Sequence, residues 1–145
     1  MPDNPPTLRP IAPKVGVGVI LIKNDQVLLV QRANPPGAGK WSLPGGKQEL
    51  GETAEETARR ELREETGLEC GALTLAGYVD SIHHDETGQI AFHYTILDFM
   101  ARYSGGDPRA ADDVLAVAWV TPDEFDAYDL WDKARALIST AFSLL

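Results

Sequence analysis

Seven glutamates fall within the run GGKQELGETAEETARRELREETGL, from Gly45 to Leu68, and the last three are Glu61, Glu64 and Glu65. On a helix, residues three and four apart are neighbours, so Glu61 faces both Glu64 and Glu65. Two carboxylates about 6 Å apart repel by roughly 3 kcal/mol at an effective dielectric near 20. A fold accepts such a cost readily when a divalent cation removes it, and Mg²⁺ favours oxygen donors of this kind. The chain carries a formal net charge of −9. An acidic protein that handles phosphates must recruit positive charge, most simply as metal ions.

A helix is needed to hold these carboxylates together, and the sequence supplies its punctuation. Thr53 and Glu56 match a capping box, and Gly67 stands where a helix stops. At about 100° per residue, Ala54, Ala58 and Leu62 form the apolar stripe. Glu61 and Glu65 fall at one border of that stripe, with Thr57 and Glu64 just beyond. Glu55, Glu56, Arg59 and Arg63 point the other way, towards water. The acidic cluster is therefore expected to face inward or into a cleft.

The surrounding chain reads as strands with a second helix. Val15 to Ile22 is a buried strand, Asn24-Asp25 a turn, and Gln26 to Arg32 the return strand of a hairpin. ANPPGAGK, from Ala33 to Lys40, is a loop. Ala72 to His84 and Gln89 to Tyr103 read as strands joined at Asp85-Glu86-Thr87-Gly88, and Val114 to Val120 as another. Thr121-Pro122-Asp123-Glu124 is a helix start. Leu130 to Leu144 is amphipathic, with Leu130, Ala134, Leu137, Ile138 and Ala141 at helical spacing. This order predicts an α/β layered domain with a mixed sheet over residues 14–145. Five of the ten prolines lie in residues 1–13, which read as an extended tail.

The bulk numbers narrow the function. A chain of 145 residues with 43% hydrophobic and 24% charged residues is one globular domain. Its charge argues against nonspecific nucleic-acid binding, which needs a basic footprint. The longest apolar run, Val15 to Ile22, is too short to span a bilayer, so no membrane partner is expected. The single cysteine, Cys70, reads as a small buried hydrophobe, and with no signal-peptide pattern it suggests a reducing cytoplasm. Walker, zinc and G-x-S-x-G nucleophile patterns are missing.

The acidic run fits the Nudix box, G-x5-E-x7-R-E-U-x-E-E-x-G-U with U a bulky aliphatic, at every specified position. The matches are Gly46, Glu52, Arg60, Glu61, Leu62, Glu64, Glu65, Gly67 and Leu68. The VLLVQR strand before it, the WSLPGG approach and the later AWVTPDEF segment also resemble that family, so that the likeness covers roughly residues 15–140. It implies a Nudix α/β/α sandwich with a loop-helix-loop catalytic motif. It also implies cleavage of a nucleoside diphosphate linked to another moiety, so the partner is a small-molecule nucleotide.

By the same resemblance, Glu61, Glu64 and Glu65 bind Mg²⁺ or Mn²⁺ with help from the backbone carbonyl of Gly45. One of them, or a carboxylate outside the box, takes the proton from water. Arg60 orients Glu61, and Glu52 supports the loop–helix junction. Gly45 and Gly46 let backbone approach the ions. Asp112 and Asp113 precede the Trp119 strand, where members often carry an additional acid, and the reading leans to Asp112. Arg32, Trp41, Phe92 and Tyr94 are candidates to contact phosphates or stack on a base, and for Phe92 and Tyr94 plain core packing is the favoured reading. Many members pair as homodimers, an option left open here.

The box reports the reaction and not the leaving group. The stretch around Phe92-His93-Tyr94 and Leu97-Asp98-Phe99 looks like bacterial proteins assigned to ADP-ribose or nucleotide-sugar hydrolysis. A proline that some ADP-ribose hydrolases carry about sixteen residues past the box is His84 here. A (deoxy)nucleoside triphosphate pyrophosphatase is the alternative, and a noncatalytic nucleotide-binding module is the alternative of another class.

Overall fold

Apolar residues alternate along the first two strands, and this alternation sets two separate cores. The computed structural model describes residues 9–145. Most of the proline-rich segment 1–13 lies outside the described residues. Of its described end, Arg9 is held on the hairpin turn by Asp85 at 2.9 Å and Gln89 at 2.8 Å.

The strands are β1 (Lys14–Lys23), β2 (Gln26–Arg32), β3 (Trp41–Ser42), β4 (Gly45–Lys47), β5 (Glu69–Cys70), β6 (Thr74–His84), β7 (Ile90–Gly105) and β8 (Val114–Val120). The helices are α1 (Ala54–Thr66) and α2 (Asp132–Leu144), with a 3-10 helix over Pro122–Tyr128. The sheet is mixed: β1 runs parallel to β7 and antiparallel to β2 and β4. β6 pairs with β7, and β8 with β2.

On one face Val17, Val19, Leu21 and Leu28 pack with Ala58 and Leu62 of α1. On the other, Ile20, Ile22, Val27 and Leu29 pack with Ala134, Ile138 and Ala141 of α2. Residues of opposite parity on one strand point to opposite faces, so the two helices sandwich the sheet as expected. The structure differs from the sequence reading in its short pieces. β3, β4 and β5 are two or three residues long and arise from pairing with distant strands, which local periodicity does not reveal. The helix expected at Thr121 is a 3-10 turn that keeps its capping box. No helix among the described residues is long and apolar enough to cross a membrane.

Candidate active site

Helix α1 starts and stops where its caps dictate. The Thr53 hydroxyl accepts from the Glu56 amide at 3.1 Å, and the Glu56 carboxylate accepts from the Thr53 amide at 2.8 Å. Gly67 adopts φ 74°, and its amide donates to the Arg63 carbonyl. The last-turn carbonyls of Glu65 and Thr66 accept from the Ala111 and Arg109 amides at 3.1 and 2.9 Å. The segment ahead of β8 is thereby anchored to the C-terminal end of α1. That anchoring sets which acid reaches the helix.

Glu65 is buried, at 5% exposure, and its Oε1 accepts the Gly45 amide at 2.9 Å. Burial pushes its carboxyl up to about 8 against that hydrogen bond, and the nearby Glu61 and Asp113 charges push the same way. Glu61 is also raised, first by burial and further by Glu64 and Asp113, while Arg60 opposes the rise. Asp113 is thus the acid that faces the pair. Asp112, favoured by the sequence reading, is exposed as Asp113 is, but it occupies the turn itself with φ 55° and acts on neither glutamate. Adjacent residues around such a turn diverge, and only the tertiary anchoring on α1 selects between them.

Arg60 is the hub of this end of the helix. Its Nε and Nη2 form a fork on Glu52 at 2.6 and 2.9 Å, and its Nη1 donates to Glu61 at 2.7 Å and to Glu64 at 3.3 Å. Every arm is engaged with a carboxylate, so Arg60 positions rather than reaches outward. Glu52 also accepts from the Glu49 amide at 3.0 Å and the Thr57 hydroxyl at 2.9 Å. These donors, with Arg60 the largest influence, hold its carboxyl down near 2. Glu52 is a brace for the loop–helix junction. Glu64 is the more open acid, with its side chain 44% exposed.

The glycines of β4 make the approach to this cluster. A Cβ on Gly45 would strike the Val17 carbonyl, and one on Gly46 would land in the Glu61 carboxylate, 2.8 Å from its Oε1. The first obstacle is rigid backbone and the second is the end of a flexible side chain. Gly46→Ala is therefore expected to leave stability within about 1 kcal/mol of wild type while displacing Glu61. Displacement of roughly 1 Å in such a group costs about 100-fold in turnover. Gly46→Ala retaining full turnover would show that Glu61 need not stay where it is.

The other candidate residues have partners of their own. Arg32 spends its Nε on the Pro36 carbonyl at 2.8 Å, tying down its own loop. Trp41 lies on the α2 face, edge-on to Tyr128 at 5.0 Å. Phe92 stands on the hairpin arm, upstream of the first residue of β7 paired with β1, with His83 as its ring neighbour. Neither Arg32 nor Phe92 makes a hydrogen bond, ion pair or ring contact with the acids. Arg59, expected to point to water, instead clamps the Cys70 and Gly71 carbonyls at 2.9 and 3.0 Å. Cys70 is free and buried.

Among the described residues no three acidic, histidine or cysteine side chains close on one point as a preformed cage. The donor set nevertheless fits a hard divalent cation. Glu61, Glu65 and Asp113 offer only oxygen, and the Glu61 and Glu65 carboxyls are raised first by burial and further by their like-charged neighbours. Glu64 sits one Arg60 contact away.

The comparisons with known proteins settle the family. The NUDIX domain model matches residues 12–141. The chain belongs to the Nudix family. A Methanocaldococcus jannaschii protein named ADP-ribose pyrophosphatase is 41% identical over 101 residues, 70% of this chain, and the match spans 57% of that protein. A Mycobacterium tuberculosis protein named putative 8-oxo-dGTP diphosphatase 2 is 37% identical over 87% of this chain and 86% of its own length. Among solved structures, a MutT Nudix hydrolase from Burkholderia pseudomallei aligns with TM-score 0.75 at 31% identity, covering 89% of this chain and 98% of that one. The NUDIX domain of Shewanella oneidensis NrtR, complexed with ADP ribose, aligns at 0.73 and 25% identity over 98% of this chain and 93% of its own. Members of this Nudix family generally use divalent metal ions and act on small-molecule nucleotides.

Proposed function

We propose that this Nudix protein hydrolyses the phosphoanhydride of a nucleoside diphosphate linked to another moiety, with ADP-ribose or a nucleotide sugar as substrate. The observation that carries the reaction class is the close set of Glu61, Glu65 and Asp113 beside the Gly45-Gly46 backbone. Glu61, Glu64, Glu65 and the Gly45 carbonyl would hold magnesium, with manganese as a substitute. When bound, the ion supplies charge neutralisation on the diphosphate and a more acidic water. Arg60 fixes Glu61 through Oε1, which leaves Oε2 to face the reaction. Asp113 or Glu61 accepts the proton from the attacking water, whose oxygen bonds to phosphorus as the bridging P–O bond breaks. The free, buried Cys70 fits a reducing cytoplasm.

Support for the substrate comes from the 41%-identical relative named for ADP-ribose. A second reading, a (deoxy)nucleoside triphosphate pyrophosphatase, is favoured by the relative named for 8-oxo-dGTP. Chromatographic product analysis with Mg²⁺ separates them. ADP-ribose is expected to yield AMP and ribose 5-phosphate. A protein that ignores ADP-ribose but converts a triphosphate to a monophosphate and pyrophosphate reverses the order. Tight nucleotide binding with no hydrolysis of any panel member, with Mg²⁺ or Mn²⁺, would mark a binding module.

A further inference from the structure

The segment between β7 and β8, Gly106 to Asp113, forms no regular element, and all of it but Ala111 is exposed. A segment that buries so little surface has low local stability and keeps its place only through bonds to other elements. Yet its last residue is Asp113, the acid that presses on Glu61 and Glu65. The Tyr103 hydroxyl donates to the Gly106 carbonyl at 2.7 Å, and the Arg109 and Ala111 amides donate to the Thr66 and Glu65 carbonyls. At the far end the Asp113 carbonyl accepts the Ala33 amide at 3.0 Å. The segment is a strap, laid over the C-terminal end of α1 and tied down on both sides of it.

Backbone decides how close the strap comes. Gly67 and Gly106 both hold positive φ, 74° and 93°, and they face one another across the contact. A Cβ on Gly106 would strike the Gly67 carbonyl oxygen and come within 3.2 Å of Leu68 Cα. A Cβ on Gly67 would come within 2.7 Å of Arg109 Nη1 and 3.2 Å of the Asp107 carbonyl oxygen. Gly67 is already required by the helix stop. Gly106 ends no helix, so its bare backbone answers to the strap alone. It meets main chain on α1, which cannot swing aside as the Glu61 side chain can beside Gly46. A side chain at position 106 must therefore lift the strap from the helix end, and with it the Ala111 bond that sets where Asp113 points. The Asp113 carbonyl keeps its own tie to Ala33, so a lifted strap moves the carboxylate without releasing β8.

We propose that Gly106 is a positioning residue: it seats the strap on α1, and the seated strap delivers Asp113 to the divalent cation at Glu61 and Glu65. This role rests on the cation site given above. Asp113 and the two glutamates are like charges, and their repulsion pushes hardest on the least anchored of the three, the one carried by the strap. A divalent cation shared by the three carboxylates turns that repulsion into attraction. Strap and cation are then linked in both directions. Whatever seats the strap tightens cation binding, and cation binding favours the seated strap by the same factor.

The test is calorimetric Mg²⁺ binding to the full chain, for wild type, Gly106→Ala, Asp113→Ala and the double variant, with amide hydrogen exchange as the second measurement. Gly106→Ala is expected to weaken Mg²⁺ binding at least about fivefold, the lower range of coupling between linked sites. In the Asp113→Ala background the same change is expected to matter less than about twofold, as for unlinked positions. A seat that served general stability alone would weaken both backgrounds alike, and that outcome overturns the proposal. So does a Gly106→Ala protein that binds Mg²⁺ as wild type does, or a wild type that binds none. By reciprocity, saturating Mg²⁺ is expected to slow exchange of the Arg109 and Ala111 amides in wild type at least about fivefold, and to leave the Gly88 amide of the β6–β7 turn unchanged. That slowing is expected to vanish in Asp113→Ala. Slowing that persists there, is matched at Gly88, or is missing from wild type also overturns the proposal, so these arms decide the matter if Gly106→Ala does not fold. Neither readout needs turnover. The expected pattern without hydrolysis sinks only the enzymatic reading, and hydrolysis with equal losses in both backgrounds sinks only this proposal.

Discussion

Glu65→Gln is expected to lower turnover by several orders of magnitude while making the metal-free protein more stable at neutral and alkaline pH. Both effects follow from a carboxylate held where it is least comfortable. Glu65 ionises near 4.5 when unfolded and near 8 in the fold, with burial as the leading cause. A folded-state pKa raised above the unfolded value means that the native state binds the extra proton. Its stability is then fully present below about pH 4.5 and declines as pH climbs towards 8. Over that window the penalty amounts to roughly 3–5 kcal/mol. Gln keeps an oxygen for the Gly45 amide and carries no charge, so the decline should vanish from its share of the profile. Asp98, raised to about 7 by burial, adds a slope of the same sign to both proteins, and Glu61 is raised as well, so the difference between them reports Glu65 together with its coupling to Glu61.

Urea unfolding in chelator at pH 4.5 and pH 8, wild type against Glu65→Gln, measures this directly. Parallel profiles would show that Glu65 is not the strained group. Mg²⁺ is expected to restore wild type selectively, because a ligand that binds only the native state stabilises it by mass action. Glu64→Gln provides the contrast. That side chain is the most open of the three and lies on Arg60, so its loss should cut turnover and alter the pH slope only through the secondary push it gives Glu61, less than Glu65→Gln does. Near-normal turnover in both variants would remove these residues from the reaction.

The second large effect is expected at Arg60. Arg60→Ala strips the fork from Glu52 and the contacts from Glu61 and Glu64. Three acids then face one another with no local cation, and hydrogen bonds to charged groups are each worth about 1.5–3 kcal/mol. A stability loss of roughly 2–4 kcal/mol and at least a 100-fold fall in turnover are expected, the latter because Glu61 loses its orientation. Arg60→Lys restores charge without the planar fork and should recover only part of either loss. A double-mutant cycle with Glu52→Gln should give clearly non-additive effects. Additive effects in that cycle, or an Arg60→Ala protein with wild-type stability and rate, would show that the fork holds nothing in place.

These residues differ in how far the chain itself announced them. Thr53, Glu56 and Gly67 could be read as caps because capping depends on neighbours three or four residues away, and the structure places each cap as expected. The inward tilt of Glu65 followed from its place beside Ala58 and Leu62 on one helical turn. Helical spacing alone points Arg59 to solvent, because the carbonyls it clamps belong to Cys70 and Gly71, which reach it only after the chain turns at Gly67. Asp98 could have been flagged as a charge inside an apolar strand run. Its burial, though, depends on the pairing of β7 with β1 and β6, which sets Gly18 and Gly77 to either side of it.

The sequence alone determined the acidic helix, its register and the spacing of Glu61, Glu64 and Glu65, because these are consequences of local covalent geometry and the 3.6-residue turn. Tertiary structure alone decided that Asp113 and not Asp112 meets those acids, that Arg60 is shared among three carboxylates and Arg32 is tied to its own loop, and that the Asp98 carboxyl is buried over Gly18. Those facts rest on the parallel pairing of β1 with β7 and on the docking of residues 109 and 111 against the end of α1. Contacts between segments tens of residues apart are selected by packing and hydrogen-bond satisfaction across the whole domain, and no periodicity within one segment encodes them.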